Sequence, residues 1–307
     1  MYETGAKPAI QPAIAQREEV RYGSVKTARR VNLAIKVAIA LLASLFSLYP
    51  VVWIISAALN PANSLANSTL IPTNASLDNF QRMVNDTQHP FFLWIWNSVK
   101  VASITSIIVV ALTALASYSF SRFRYRGRRT GLLAILLVQL FPNMLSMVAL
   151  YLMLLNLGNI VPWLGLNTHG GLILIYTGGA LGFNTWLMKG FFDSIPRELD
   201  EAALIDGASP FQVFWRIILP LSRPILAVMG ILAFIGVYGD FLLARVMLKS
   251  NDTYTLMVGL GLFIQGRTQE WGVFAAAALI GALPIVAIFL ILQKQLISGL
   301  ASGAVKG

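Results

Sequence analysis

The chain has 307 residues, 57% apolar and only 12% charged, with a mean hydropathy of +0.70. Soluble domains carry roughly 25% charged and 45–50% apolar residues, so this composition excludes an ordinary soluble fold and equally a disordered or collagen-like chain. A net charge of +10 could signal nucleic acid, but its placement along the chain decides its meaning, and with no cysteine there is no disulfide, thiolate metal site or cysteine nucleophile.

Residues 1–30 are polar, contain Pro8 and Pro12, and read as a flexible tail. Six uncharged runs follow, at 37–59, 101–120, 132–157, 170–188, 224–239 and 271–293. A helix needs about 20 residues to cross a bilayer core of about 30 Å. Hydrocarbon offers no partner to an unpaired amide, so each run is predicted to be a helix, and the alternation of a membrane barrel is absent. The first run starts too late and is too long for a cleaved signal, whose apolar core is about 7–15 residues.

The external segment 60–100 carries Asn-Pro, Ile-Pro and His-Pro turn signals and ends in an aromatic stretch, 91–96, that suits a membrane interface. In the third run Pro142 removes an amide donor and predicts a kink, making Pro142 and Asn143 gate candidates. Gly178 and Gly182 are spaced for close helix packing. The fifth run is short unless it continues past Asp240 to about residue 243. An acid costs roughly 2–3 kcal/mol at the centre of a spanning helix and less near an interface. Asp240 is therefore either a pathway or gate contact, or a residue that sits at interfacial depth or pairs with Arg245. His89 and His169 lie in separate external loops without metal-ligand spacing, and no metal site is expected.

Every lysine and arginine falls outside the six runs. One side of the membrane collects 18 of them and the other 5, the fullest loop being 121–131 with five arginines. The positive-inside rule then places both termini in the cytoplasm and predicts an all-α membrane protein with six spans. The +10 charge is mostly a cytoplasmic-face property and needs no nucleic acid.

The cytoplasmic loop 189–223 is the most specific segment. Pro196, then Glu198, Asp200 and Glu201, suit the start of a short helix. Gly207 is a left-handed stop, Ser209 caps a second helix with Pro210 at its first position, and Gln212 completes a capping box. Phe211, Phe214, Ile217, Ile218 and Leu221 recur at helical spacing, and Pro220 is predicted to end the pattern. On helix signals alone, such a pair could simply lie on the membrane face, with Glu201 only compensating a helix dipole.

Glu201-Ala202-Ala203, three residues, Gly207, nine residues, Ile217, one residue and Leu219-Pro220 match the "EAA" loop of bacterial ABC-importer permeases at every position. Further stretches, 97–102, 165–171, 254–256, 271–278 and 299–307, resemble the smaller permease subunits of maltose-type importers, over most of the chain from about residue 31. The resemblance implies a permease domain at 31–298 and a cytoplasmic tail at 299–307. It implies a coupling helix, carried by Glu201, Ala202, Ala203, Asp206 and Gly207 with Ile217, Leu219 and Pro220 behind it, that docks on an ATPase. An external loop, Asn251, Asp252, Thr253 and Tyr254, would enter a sugar-binding protein, although the sequence departs from the family pattern around 249–252. The tail Gly303, Ala304, Val305, Lys306 and Gly307 would reach the ATPase.

The partners so implied are a larger sister permease, a homodimeric ABC ATPase that carries ATP–Mg, an extracytoplasmic sugar-binding protein and membrane lipid. The chain itself has no Gly-Lys dipeptide, hence no Walker A loop, and is expected to be non-catalytic. A secondary transporter would put paired charges or broken helices at the midplane, and an intramembrane enzyme would need convergent nucleophiles or carboxylates; the runs supply neither. The cargo stays open between maltose, a maltodextrin and another oligosaccharide.

Overall fold

The computed structural model describes residues 11–61, 72, 74–141, 143–265 and 269–304, with side chains over 27–61, 72, 74–141, 145–265 and 269–293. Among them every regular element is helical: α1 Gln11–Leu59, α2 Asp78–Asn85, α3 Phe91–Arg122, α4 Arg128–Gln139, α5 Asn143–Ile160, α6 His169–Ser194, α7 Glu198–Ile205, α8 Pro210–Leu221, α9 Arg223–Tyr238, α10 Leu242–Met247, α11 Leu256–Ile264 and α12 Trp271–Ala304. Thr27–Leu59, Phe91–Arg122, His169–Ser194 and Trp271–Gln293 are each long and apolar enough to cross a bilayer, and α8 and α9, bent by 76° to one another, pass that test only when counted together.

The helices outrun the uncharged sequence. Helix α3 starts at Phe91 and takes in Lys100, and α6 runs to Ser194, where Lys189 and Asp193 pair one turn apart. The third run is not one kinked helix but two, α4 and α5, because proline both removes a donor and disfavours helix in the residue before it. Pro142 itself lies outside the described residues, as does the side chain of Asn143. Two short helices, α10 and α11, occupy the segment read as a loop; nine residues in α11 are too few to register as a span.

Helix α3 is the central strut, packed along α6 and α9. One core cluster joins Tyr118, Met188, Phe192, Phe214, Ile218 and Met229 near α7 and α8. Another joins Phe91, Trp94, Phe234, Tyr238, Leu256 and Phe263 at the opposite end. There Trp94 fills the space over Gly259, where a Cβ would stand 2.0 Å from the indole. Helix α1 lies along α12 through Ala57, Ala58, Ala275 and Ala276, small residues that let backbones approach. Gly182 likewise meets Gln139 of α4, whereas Gly178 faces open space.

Candidate functional site

The hairpin α7–α8 follows from local chemistry. Gly207 has φ +85°, and Ala208 N–H closes on Ala203 O at 2.9 Å, a Schellman stop. Ser209 N–H donates to Gln212 Oε1 at 2.7 Å while Gln212 N–H donates to Ser209 Oγ at 3.3 Å, so the capping box forms as its residues require. Beyond it the helix departs from expectation. Phe214–Ile218 form a π-turn, with Leu219 N–H donating to Phe214 O. That widened turn relieves the clash between the Pro220 ring and the carbonyl four residues back, so the helix passes Pro220 and breaks instead at Ser222. It also changes the buried face to Val213, Phe214 and Ile218, leaving Phe211 and Leu221 exposed.

The hairpin's tip is apolar and open, with Ile205 86%, Phe211 65% and Trp215 62% exposed. Its base is clamped. Arg122, the last residue of α3, meets Asp200 with Nε 2.5 Å from Oδ2, and donates to Ile195 O at 3.1 Å. Arg197 donates to Ser121 O at 3.2 Å, and Tyr118 OH to Pro210 O at 3.0 Å. Ser121 Oγ donates to Asp193 Oδ1, and Lys189 holds the other oxygen, Oδ2. Tyr118, Arg122, Arg197, Asp200 and Pro210 surround a cavity of about 220 Å3. Burial pushes the Asp200 carboxyl above its usual range, and the Arg122 and Arg197 charges draw it back only in part.

Sequence reasoning gave weight to Glu201 and missed this clamp. Glu201, Ala202, Asp206 and Gly207 are exposed, Ala203, Ile217, Leu219 and Pro220 partly so, and Glu201 makes no ion pair among the described residues. A pairing between positions 122 and 200 has no local signature.

At the opposite end the loop before α11 is folded down onto the bundle. Asn167, at φ 59°, accepts at Oδ1 from Lys249 N–H (2.7 Å), Ser250 N–H (3.1 Å) and Thr253 Oγ1 (2.6 Å). Its Nδ2 donates to Ser250 Oγ at 2.7 Å. Trp94 Nε1 donates to Asn251 O, Asn97 Nδ2 to Asp252 O and Tyr254 O, and His169 Nε2 lies 2.8 Å from Thr253 O. The backbone is pinned, Asn251 Nδ2 donates to Gln88 O at 2.7 Å, and the Asp252 side chain is exposed. A hydrogen bond from the Ser250 side chain holds the Asp252 carboxyl below its usual range. Both histidines are structural here: His89 lies 2.6 Å from Asp86 Oδ2 and packs on Trp94 and Phe263.

Asp240 does not pair with Arg245. Its Oδ1 accepts from Tyr176 OH at 2.8 Å and from Leu243 and Ala244 N–H at 3.1 and 3.0 Å, capping the first turn of α10, while Arg245 donates to Tyr254 OH. Gly303 and Ala304 end α12, and Val305, Lys306 and Gly307 lie outside the described residues. Among the described residues no group of three or more His, Cys, Asp or Glu could hold a metal ion.

Residues 107–301 match the family model described as binding-protein-dependent transport system inner membrane component. The maltose/maltodextrin transport system permease protein MalG of Vibrio vulnificus (strain YJ016) is 44% identical over 271 residues, covering 85% of this chain and 91% of that protein. The protein of the same name from Escherichia coli (strain K12) is 41% identical over 271 residues, with the same coverage. Among solved structures, a chain of a bacterial ABC transporter involved in the import of the acidic polysaccharide alginate matches at TM-score 0.68 and 23% identity, covering 87% of this chain and 97% of that one, a likeness of fold.

Proposed function

This chain belongs to the family of binding-protein-dependent transport system inner membrane components, and from that premise we propose that it is the smaller permease subunit of an ATP-driven sugar importer. Its cargo is maltose or a maltodextrin, by analogy with relatives of that name at 44% and 41% identity; a different carbohydrate is the alternative. Six crossings carry it through the inner membrane with both termini cytoplasmic, the third being the broken pair α4 and α5. The chain does no bond chemistry: ATP–Mg sits on a homodimeric ABC ATPase. A larger sister permease completes the channel, and an extracytoplasmic binding protein delivers the sugar.

The observation that carries this proposal is the hairpin. An exposed apolar tip on two short helices, stopped at Gly207 and clamped at its base to α3, suits a lever that seats in a partner's groove and moves a spanning helix. Glu201, Ala202, Ala203 and Asp206 are on its partner-facing side, and residues 303–307 approach the same ATPase. The loop Asn251, Asp252, Thr253 and Tyr254 offers a pinned backbone to the binding protein. The α4–α5 break at Pro142 and Asn143, and Asp240 under Tyr176, are where we place the gate. Hairpin and external loop are then two sites coupled through one two-state bundle.

Purification of the complex with mass identification of its subunits, followed by uptake in vesicles, tests the proposal. A co-purifying ATPase and sister permease, with sugar uptake that stops without ATP, is expected. Uptake that continues without nucleotide overturns it. So does maleimide labelling of a single Ala202→Cys variant from the side that also labels Asp252→Cys.

A further inference from the structure

Five arginines lie within residues 122–129, and Asp200 takes the first. Arg124, Arg126 and Arg129 are exposed and Arg128 half-buried, and none of these four has an ion pair among the described residues. Arg128 donates only a long bond, 3.4 Å, to Phe123 O. The nearby carboxylate, Asp193, is held by Lys189 and Ser121. Arg128 acts on Asp193 by charge alone, without a direct pair, so the chain keeps four cations within six residues with no ion pair of their own among the described residues, a self-repulsive arrangement that favours an anion.

A cavity of about 510 Å3 opens beside two of them, lined by Tyr125, Gly127, Arg128, Arg129, Thr130, Leu132 and Lys189. Gly127, at φ +85°, turns the chain into α4, so the first turn of a 12-residue helix faces the same space. Directly beyond, α4 buries no residue: Leu133, Leu137 and Val138 are 51%, 64% and 72% exposed, and Leu140 just past its end 76%. A basic pocket thus continues into an uncovered apolar face. A soluble phosphate matches only the first half of that surface. An amphiphile with an anionic head and acyl tails matches both.

We propose that the pocket at the start of α4 binds the phosphate of an anionic phospholipid, with Arg128 and Arg129 on the headgroup, Arg124 and Arg126 at its rim and acyl chains along Leu133 and Leu137. The site holds the α3–α4 turn against the membrane beside the Arg122–Asp200 clamp. It rests on the chain's membrane placement and not on sugar, ATP or partners, so loss of the import reading leaves it standing.

The test uses the full-length chain in neutral detergent, with phosphatidylglycerol and phosphatidylcholine of identical acyl chains as probes and retained lipid read by native mass spectrometry. Each basic residue near an anionic surface contributes about fivefold in binding. Arg128→Gln/Arg129→Gln is expected to weaken phosphatidylglycerol retention about 25-fold, while Arg29→Gln/Arg30→Gln, which removes the same charge from α1, leaves it unchanged. Should the first variant misfold, Arg129→Gln alone, an exposed position, reads the same loss at about fivefold. Equal retention of phosphatidylcholine overturns the site, as does equal loss in both double variants. Displacement by sn-glycerol 3-phosphate at the lipid's own affinity overturns the lipid source in favour of a free phosphate. A co-purified protein covering α4 with no lipid retained overturns it too.

Discussion

Asp200→Ala removes the carboxylate that Arg122 meets at 2.5 Å, in a site where the two side chains are 12% and 6% exposed. The guanidinium keeps Ile195 O and Ser121 Oγ but loses its counter-charge. Breaking a buried pair from one side costs about 3–5 kcal/mol. At 1.4 kcal/mol per tenfold, even the lower figure shifts the equilibrium between clamped and released hairpin by about 100-fold. Trypsin reports that equilibrium, since Arg197 is tied to Ser121 O when the hairpin is clamped. When reclosing outpaces cleavage, the cutting rate follows the open population. Cutting after Arg197 in the detergent-solubilised chain is therefore expected to accelerate about 100-fold in Asp200→Ala. Arg122→Met/Asp200→Leu, which removes both charges, is expected to return to within about tenfold of the parent, because apolar replacement of a buried pair is close to neutral. Glu201→Ala, at an exposed position, serves as the unchanged control. An Asp200→Ala chain cut no faster than the parent, or a double variant cut as fast as the single, refutes the clamp.

Gly207→Ala puts a Cβ at φ +85° in open space, so the cost is purely backbone, about 1–2 kcal/mol; coupled uptake is expected to fall with membrane insertion retained, and Gly207→Asn to fall less. Asn167→Ala removes four side-chain hydrogen bonds to the loop 249–253. At about 0.5–1.5 kcal/mol each, amide exchange over 248–255 is expected to speed up at least tenfold, and unchanged exchange rejects the pinned-loop assignment. Gly259→Ala drives a methyl to 2.0 Å from Trp94, an overpacking worth about 1–3 kcal/mol that is expected to lower the unfolding temperature; Gly236→Ala, with nothing within 4 Å, leaves it in place.

What was legible in the chain was whatever acts over four or five residues or over a span's length. The apolar runs became helices because an amide in hydrocarbon has no other partner. Gly207, Ser209 and Gln212 made their stop and cap because those bonds close within one turn. Even the misjudged details there were near misses: Pro220 does disturb its helix, but a π-turn upstream absorbs the clash and passes the break to Ser222.

The sequence by itself determined an all-helical membrane chain, the place of its hairpin and the residues that shape the hairpin's ends, since propensity, capping and hydropathy are local quantities. Only the tertiary structure decided that Arg122 closes on Asp200, that Asn167 anchors a loop more than 80 positions away and that Asp240 takes Tyr176 rather than Arg245. Those contacts depend on how three spans pack around α3, and a polar group buried by that packing takes whichever partner the geometry brings within about 3 Å.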